Sequence, residues 1–281
     1  MADQRAPVCV SIATIPSRIA HLRPTLESLM AGELVPDKIL VVRPEFCKWE
    51  NSGYEVPDFL IDPEFCRGIV TPVVAEQDWG SSTKYLGALD HLPGACHFIV
   101  ADDDVVYSPG FLSGLVEAQR RDSSASYSYH AYHNYGMPIA CGCDGVCTWS
   151  PYLDEMRAFA ERFIVGTALQ YDDDFWVAFY LMQRGVDLRG LGHTLGGELV
   201  YEQVLPNTVL SGETSADLVR KTIRRSHFFR LLRQADMLLL RKVGVFCGFL
   251  VDGLRISAEQ LAAKAQRGFR KVARKSVLRS G

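Results

Sequence analysis

Early in the chain, residues come in short, mostly apolar runs with little alternation, at positions 8–15, 38–42, 68–74 and 96–101. Runs of this kind predict strands covered on both faces. The spacing of Leu22, Leu26, Leu29 and Met30 predicts a helix over 22–30 with Gly32 just past its end, and a second helix is predicted over 82–92. Strand and helix therefore alternate, which predicts a mostly parallel α/β sheet with right-handed crossovers. Ligands of such sheets bind beyond the carboxyl ends of the strands. Residues 15–18 and 102–104 fall at two of those ends. The Pro-, Glu- and aromatic-rich stretch 44–62 reads as a loop or insertion. Beyond residue 104 the pattern loosens: helices are predicted over 110–120 and 172–184 and a late strand over 199–205. A polar aromatic segment, 127–135, and a Gly/Cys-rich stretch running to Trp149 separate them. There is no internal repeat.

The 281 residues are 48% hydrophobic and 22% charged, which excludes a disordered chain and a disulfide-stapled miniprotein. No 18-residue window is both apolar and free of charge, so no transmembrane helix is predicted. The start of the chain is polar, without the basic beginning and small-residue cleavage site of a signal peptide, and a cytoplasmic location is the expectation. Cys9, Cys96 and Cys247 lie inside apolar runs, while Cys141, Cys143 and Cys147 lack the paired spacing of a zinc site. Reduced thiols are expected.

Charge divides the chain. Residues 217–281 hold 16 Lys/Arg against 4 Asp/Glu, a balance of +12, whereas residues 1–216 hold 14 against 29, a balance of −15. An acidic domain over 1–215 followed by a basic helical extension over 216–281 is the predicted organisation.

The acids themselves carry the chemistry. Asp102, Asp103 and Asp104 follow a buried strand directly, and consecutive carboxylates there are best relieved by a divalent cation such as Mg²⁺ or Mn²⁺, which can bridge a diphosphate. A solvated loop with one Asp capping the next helix is the alternative. A second triplet, Asp172, Asp173 and Asp174, opens the helix over 172–184. Helix capping and general-base catalysis toward a hydroxyl both account for it. Gly80-Ser81-Ser82-Thr83-Lys84 has the look of a phosphate cradle without the full P-loop pattern.

Taken in order, Ser11-Ile12-Ala13-Thr14-Ile15-Pro16-Ser17-Arg18, Gly80 to Lys84, Asp102-Asp103-Asp104-Val105-Val106-Tyr107 and Asp173-Asp174-Phe175-Trp176 resemble the signatures T-T-I-P-S-R, T-K, D-D-D-x-x-Y and D-D-x-W. These belong to GT-A-type glycosyltransferases close to the bacterial family 2-like enzymes, and the resemblance spans residues 8–205. It implies the Rossmann-like GT-A fold and a nucleoside-diphosphate sugar as donor. Pro16, Arg18, Thr83, Lys84, Asp102 and Asp103 would border the nucleotide sugar, and Asp102 and Asp104 would hold Mn²⁺ or Mg²⁺. Asp173 and Asp174 would be the acidic pair of inverting members, with Asp174 as the base that deprotonates the acceptor. The extra acid Asp172 leaves that register open by one residue. His193 stands where some GT-A enzymes place a further metal ligand, with an ordinary surface or core histidine as the alternative.

The basic extension is amphipathic. On a wheel of about 100° per residue, Leu261, Ala265, Phe269 and Val272 share one arc, while Lys264, Arg267, Arg270, Lys271, Arg274 and Lys275 share the opposite one. Such a helix is suited to an anionic membrane surface; docking on the acidic domain is the alternative. Nothing in the tail resembles a nucleic-acid reader, and no nucleic acid is expected as partner. The expected activity is thus metal-dependent, inverting sugar transfer to a glycan or lipid-linked acceptor hydroxyl at the inner face of a membrane. The alternatives are a sugar nucleotidyltransferase and a non-catalytic membrane-bound adaptor with the same fold. The first of these would be expected to have a Gly-rich first βα loop, and residues 15–20 contain no glycine.

Overall fold

The computed structural model describes residues 5–205 except 135–136, 167–169, 171, 193 and 197. His193 and the basic extension lie outside the described residues. A seven-stranded sheet forms the centre: β1 (Val8–Ala13), β2 (Lys38–Pro44), β3 (Val70–Ala75), β4 (His97–Ala101), β5 (Ala125–Ser128), β6 (Val146–Trp149) and β7 (Asp187–Gly190). Their spatial order is β3-β2-β1-β4-β6-β5-β7. All pairs are parallel except those of β6, which runs antiparallel to both β4 and β5. This is the mostly parallel α/β architecture expected.

The early apolar runs form strands because both faces are covered. Val8, Val10 and Ile12 of β1 join Ile39, Val41, Ile99 and Ala101 in a core closed by Leu26 and Leu29 of a helix, Arg23–Met30, and by Leu112, Leu115 and Val116 of another, Phe111–Arg121. Each such side chain contributes about 1.5–3 kcal/mol when fully buried. The helix Asp173–Gln183 buries every residue from Phe175 to Leu181, as expected of an element packed on several sides.

Two expectations are corrected. The helix predicted over 82–92 is a single α turn, Thr83–Leu86, flanked by short 3₁₀ turns at Gly80–Ser82 and Leu89–His91. It stops where Gly87 packs on the sheet so closely that a Cβ would lie 2.6 Å from Val42 Cγ1 and 2.9 Å from Ala75 Cβ. The loosely patterned region after residue 121 also contributes two sheet strands, β5 and β6, and an unforeseen helix, Met156–Phe163. Polar residues obscured the strands: Ser126 and Thr148 are buried but bond to each other, hydroxyl to hydroxyl at 2.7 Å, so their polarity is satisfied internally.

Among the described residues, no helix is long and apolar enough to cross a membrane.

Candidate active site

Strand register sets the site. Ile12 pairs with Ala101 across β1 and β4, so residues 13–18 and 102–104 leave the sheet side by side at its carboxyl edge. The one-turn helix Pro16–Ile19 follows β1, with half-buried Pro16 at its start. Its position is fixed by Glu50, whose carboxylate accepts from the Ser17 amide at 2.9 Å and from the Ser17 hydroxyl. Arg18 then reaches the acids of the next segment: its Nη1 lies 2.9 Å from Asp103 Oδ1 and 3.2 Å from Asp104 Oδ2.

The three acids diverge. Asp103 is enclosed, and burial pushes its carboxyl up to about 6 even though Arg18 favours the charged form. Asp104 is raised as well, first by burial and then by Asp102. Its carbonyl accepts from the Val204 amide at 2.9 Å, and its carboxylate from Gln203 Nε2 at 3.4 Å. Gln203 is delivered by a short strand, Tyr201–Gln203, paired antiparallel with Val105–Tyr107. The Asp102 side chain is the most open of the three at 30% exposure, and its amide donates to the Tyr107 hydroxyl at 2.9 Å.

The second triplet arrives on the helix Asp173–Gln183. Asp172 caps it, with Oδ1 accepting from the Phe175 amide at 3.4 Å, and Asp173 and Asp174 occupy the first turn. Capping therefore explains one acid of the three. Asp174 Oδ1 accepts from the Gly142 amide at 3.1 Å. Burial, reinforced by the neighbouring Asp173 charge, holds the Asp174 carboxyl well above the ordinary carboxylate range.

Lys84 connects the two triplets, with Nζ 2.9 Å from Asp102 Oδ1 and 3.1 Å from Asp173 Oδ2. Burial opposes its charge, yet the surrounding carboxylates outweigh burial and hold its pKa well above normal. Thr83, beside it, is buried and accepts from the Trp79 amide at 3.2 Å. Ser82 accepts from Trp176 Nε1 at 2.9 Å and donates to the Gln170 carbonyl at 3.1 Å, tying this loop to the acidic helix. The structure thus gathers Arg18, Lys84, Asp102, Asp103, Asp104, Asp173 and Asp174 at one edge of the sheet, with Pro16 bordering them and the Thr83 hydroxyl turned inward.

Sequence reasoning missed Gly142 and Gln203. Gly142 lies in a Cys/Gly-rich stretch with no motif, and only the reversal of β6 brings that loop to the carboxyl edge of the sheet. Gln203 carries no signal at all in the sequence.

Five carboxylates, at 102–104, 173 and 174, gather with two cations in this centre, Arg18 and Lys84. The excess of negative oxygen donors fits a divalent cation. Among the described residues, no group of three His, Cys, Asp or Glu converges as a closed metal site. Mg²⁺ needs no such cage: it is commonly bound by one or two carboxylates, with water and substrate phosphates completing the shell.

No protein-family model matches the chain, and no curated protein matches its sequence. Among solved structures it resembles S. aureus TarS, with a TM-score of 0.56 and 12% identity over 88% of this chain and 43% of that one. It also resembles S. aureus TarS 1-349 in complex with UDP, with a TM-score of 0.52 and 12% identity over 87% of this chain and 70% of that one. The chain thus spans less than half the length of the first of these proteins. At that identity the likeness speaks for architecture alone, and the architecture is the Rossmann-like GT-A fold.

Proposed function

We propose that the protein is a nucleotide-sugar glycosyltransferase, metal-dependent and inverting. The observation that carries this reading is the meeting of Asp102–Asp104 with Asp173 and Asp174 at the carboxyl edge of the sheet, joined through Lys84 at 2.9 and 3.1 Å. Sugar transfer needs two things on opposite sides of the anomeric carbon: stabilisation of the departing diphosphate and a base for the acceptor hydroxyl. The first triplet lies at the end of β4, beside the Pro16–Ile19 turn, where GT-A folds receive a nucleotide. The UDP complex of TarS supports a nucleoside diphosphate as its occupant. Asp102 and Asp104 would hold Mg²⁺ or Mn²⁺, which when bound supplies Lewis-acid neutralisation of the leaving diphosphate. Pro16, Arg18, Thr83 and Asp103 belong to the nucleotide side.

Asp174 is the proposed base. Its half-buried carboxylate accepts from a backbone amide, and burial with the neighbouring Asp173 charge raises its pKa, which makes it a stronger base than an ordinary carboxylate. A single base acting across from the leaving group gives direct displacement with inversion. The acceptor hydroxyl belongs, in this reading, to a glycan or lipid-linked glycan. The basic extension would hold the enzyme on the inner, anionic face of a membrane through the segregated charges of residues 261–275.

Release of a nucleoside diphosphate from a panel of nucleotide sugars, with Mn²⁺ present, tests the reading. Sugar-dependent release is expected. Release of pyrophosphate from a nucleoside triphosphate and a sugar phosphate would instead identify a nucleotidyltransferase, and no turnover with any donor would favour an adaptor.

A further inference from the structure

We propose that Lys84 is a positioning residue of the transfer reaction: wedged against Gly142, its ammonium ties Asp102 on the nucleotide side to Asp173 on the acceptor side, instead of binding the donor's phosphates. The inference rests on the glycosyltransferase reading and assigns a role within it.

Three observations converge. Lys84 is 7% exposed, so little of it faces the space a donor would enter. Its Nζ donates a hydrogen bond to Asp102 Oδ1 at 2.9 Å and lies in ion-pair contact with Asp173 Oδ2 at 3.1 Å, so its charge already faces two carboxylates. Gly142 closes over this pair: a Cβ there would lie 2.5 Å from Lys84 Nζ and 2.7 Å from Asp102 Oδ1. The backbone of Lys84 is anchored too, since its carbonyl accepts from the Ser11 hydroxyl of β1 at 2.6 Å.

The same Gly142 that packs on the ion pair donates its amide to Asp174 at 3.1 Å. The ammonium, the glycine backbone and the three carboxylates are therefore one unit, and any displacement of Lys84 moves the loop that orients the base. The packing also explains why the cation is a lysine. A planar guanidinium is larger and would need the space that the Gly142 backbone fills.

The test uses the full chain and two readouts, turnover with a saturating nucleotide sugar and UDP affinity by calorimetry with Mn²⁺. Lys84→Ala is expected to lower kcat by at least about a hundredfold while the UDP dissociation constant stays within about threefold. Added ethylamine or propylamine should restore part of the Lys84→Ala turnover by re-entering the vacated position. Lys84→Arg should fail despite keeping the charge. Gly142→Ala, whose Cβ would press on Lys84 Nζ and Asp102 Oδ1, should reproduce the kcat loss, and it serves as the second variant if Lys84→Ala does not fold. Loss of UDP affinity by more than about tenfold with kcat unchanged would overturn the positioning role and make Lys84 a phosphate ligand. Wild-type turnover by Lys84→Arg or by Gly142→Ala would overturn it as well. A wild-type chain that turns over no nucleotide sugar overturns the glycosyltransferase reading itself, and the role of Lys84 with it.

Discussion

Asp172, Asp173 and Asp174 are adjacent in sequence but do three different things, so a scan of single Asn substitutions separates them. Asp174→Asn removes the proposed base and keeps an acceptor for the Gly142 amide. General bases contribute about 10²–10⁴ in rate, so kcat should fall by at least about a hundredfold, or about 2.7 kcal/mol of barrier. Stability should move the other way. The folded Asp174 carboxyl is raised above its unfolded value, chiefly by burial. Its contribution to stability is therefore present at low pH and lost as pH rises through the folded pKa. Asn cannot ionise, so the variant should be the more stable protein at neutral pH and close to wild type near pH 4. Asp173→Asn should instead weaken the Lys84 contact at 3.1 Å and lower stability by about 1–3 kcal/mol. Asp172→Asn should change little, because Asn caps a helix as well as Asp does. Nucleoside diphosphate release with saturating donor and denaturant unfolding at two pH values give the required numbers. Wild-type kcat should also rise with pH along a limb above the ordinary carboxylate range, and Asp174→Asn should lack it. Loss of turnover in Asp172→Asn or Asp173→Asn with full activity in Asp174→Asn would refute the assignment and shift the base by one or two residues.

Asp104→Asn should keep the fold but abolish Mn²⁺-dependent UDP binding by calorimetry, and unchanged metal-dependent affinity would remove Asp104 from the metal site. His97 is lowered by burial, against the opposing bond from its Nδ1 to Gln119 Oε1 at 2.6 Å. Its stability contribution should therefore decline as pH falls below about 6.5, and His97→Gln should flatten that part of the unfolding profile; an identical slope in the variant would exclude His97 as its source. A chain ending at Ala216 loses a balance of +12. Full-length protein should co-sediment with anionic vesicles in a salt-sensitive manner, each nearby base adding about 1 kcal/mol, whereas equal binding by the shortened chain would sink the membrane role.

What the sequence discloses follows from how each part is stabilised. β1, β2 and β4 were legible because solvent reaches neither face, leaving runs such as Val8-Cys9-Val10 with no polar interruption. β5 and β6 were not, because Ser126, Ser128 and Thr148 sit in the core as polar residues and break the pattern. The helix over 82–92 was misjudged because the close approach of Gly87 to Val42 and Ala75 is a tertiary fact. Both acidic triplets were conspicuous, since consecutive carboxylates beside buried runs have few structural explanations. Their connection was not, because residues 84, 102, 142 and 173 meet only through sheet order and one reversed strand.

That reversed strand has a consequence for how the site is built. In a fully parallel sheet each strand delivers one loop to the carboxyl edge, and the chain must then cross back through a helix. β5 runs with β4, and β6 returns against both of them, with Val146 opposite Val100. The connection between β5 and β6 therefore begins and ends at the carboxyl edge of β4, and the residues just before β6 lie beside the end of β4. Gly142 is placed by this arrangement: its amide faces Asp174 while its α-carbon abuts Asp102 and Lys84. Gly145, at φ +69° with Phe111 against it, bends the chain back into β6 in a conformation that disfavours other residues. The contact between the two acidic triplets thus depends on the one antiparallel strand of the sheet, and the fold itself sets how closely they approach.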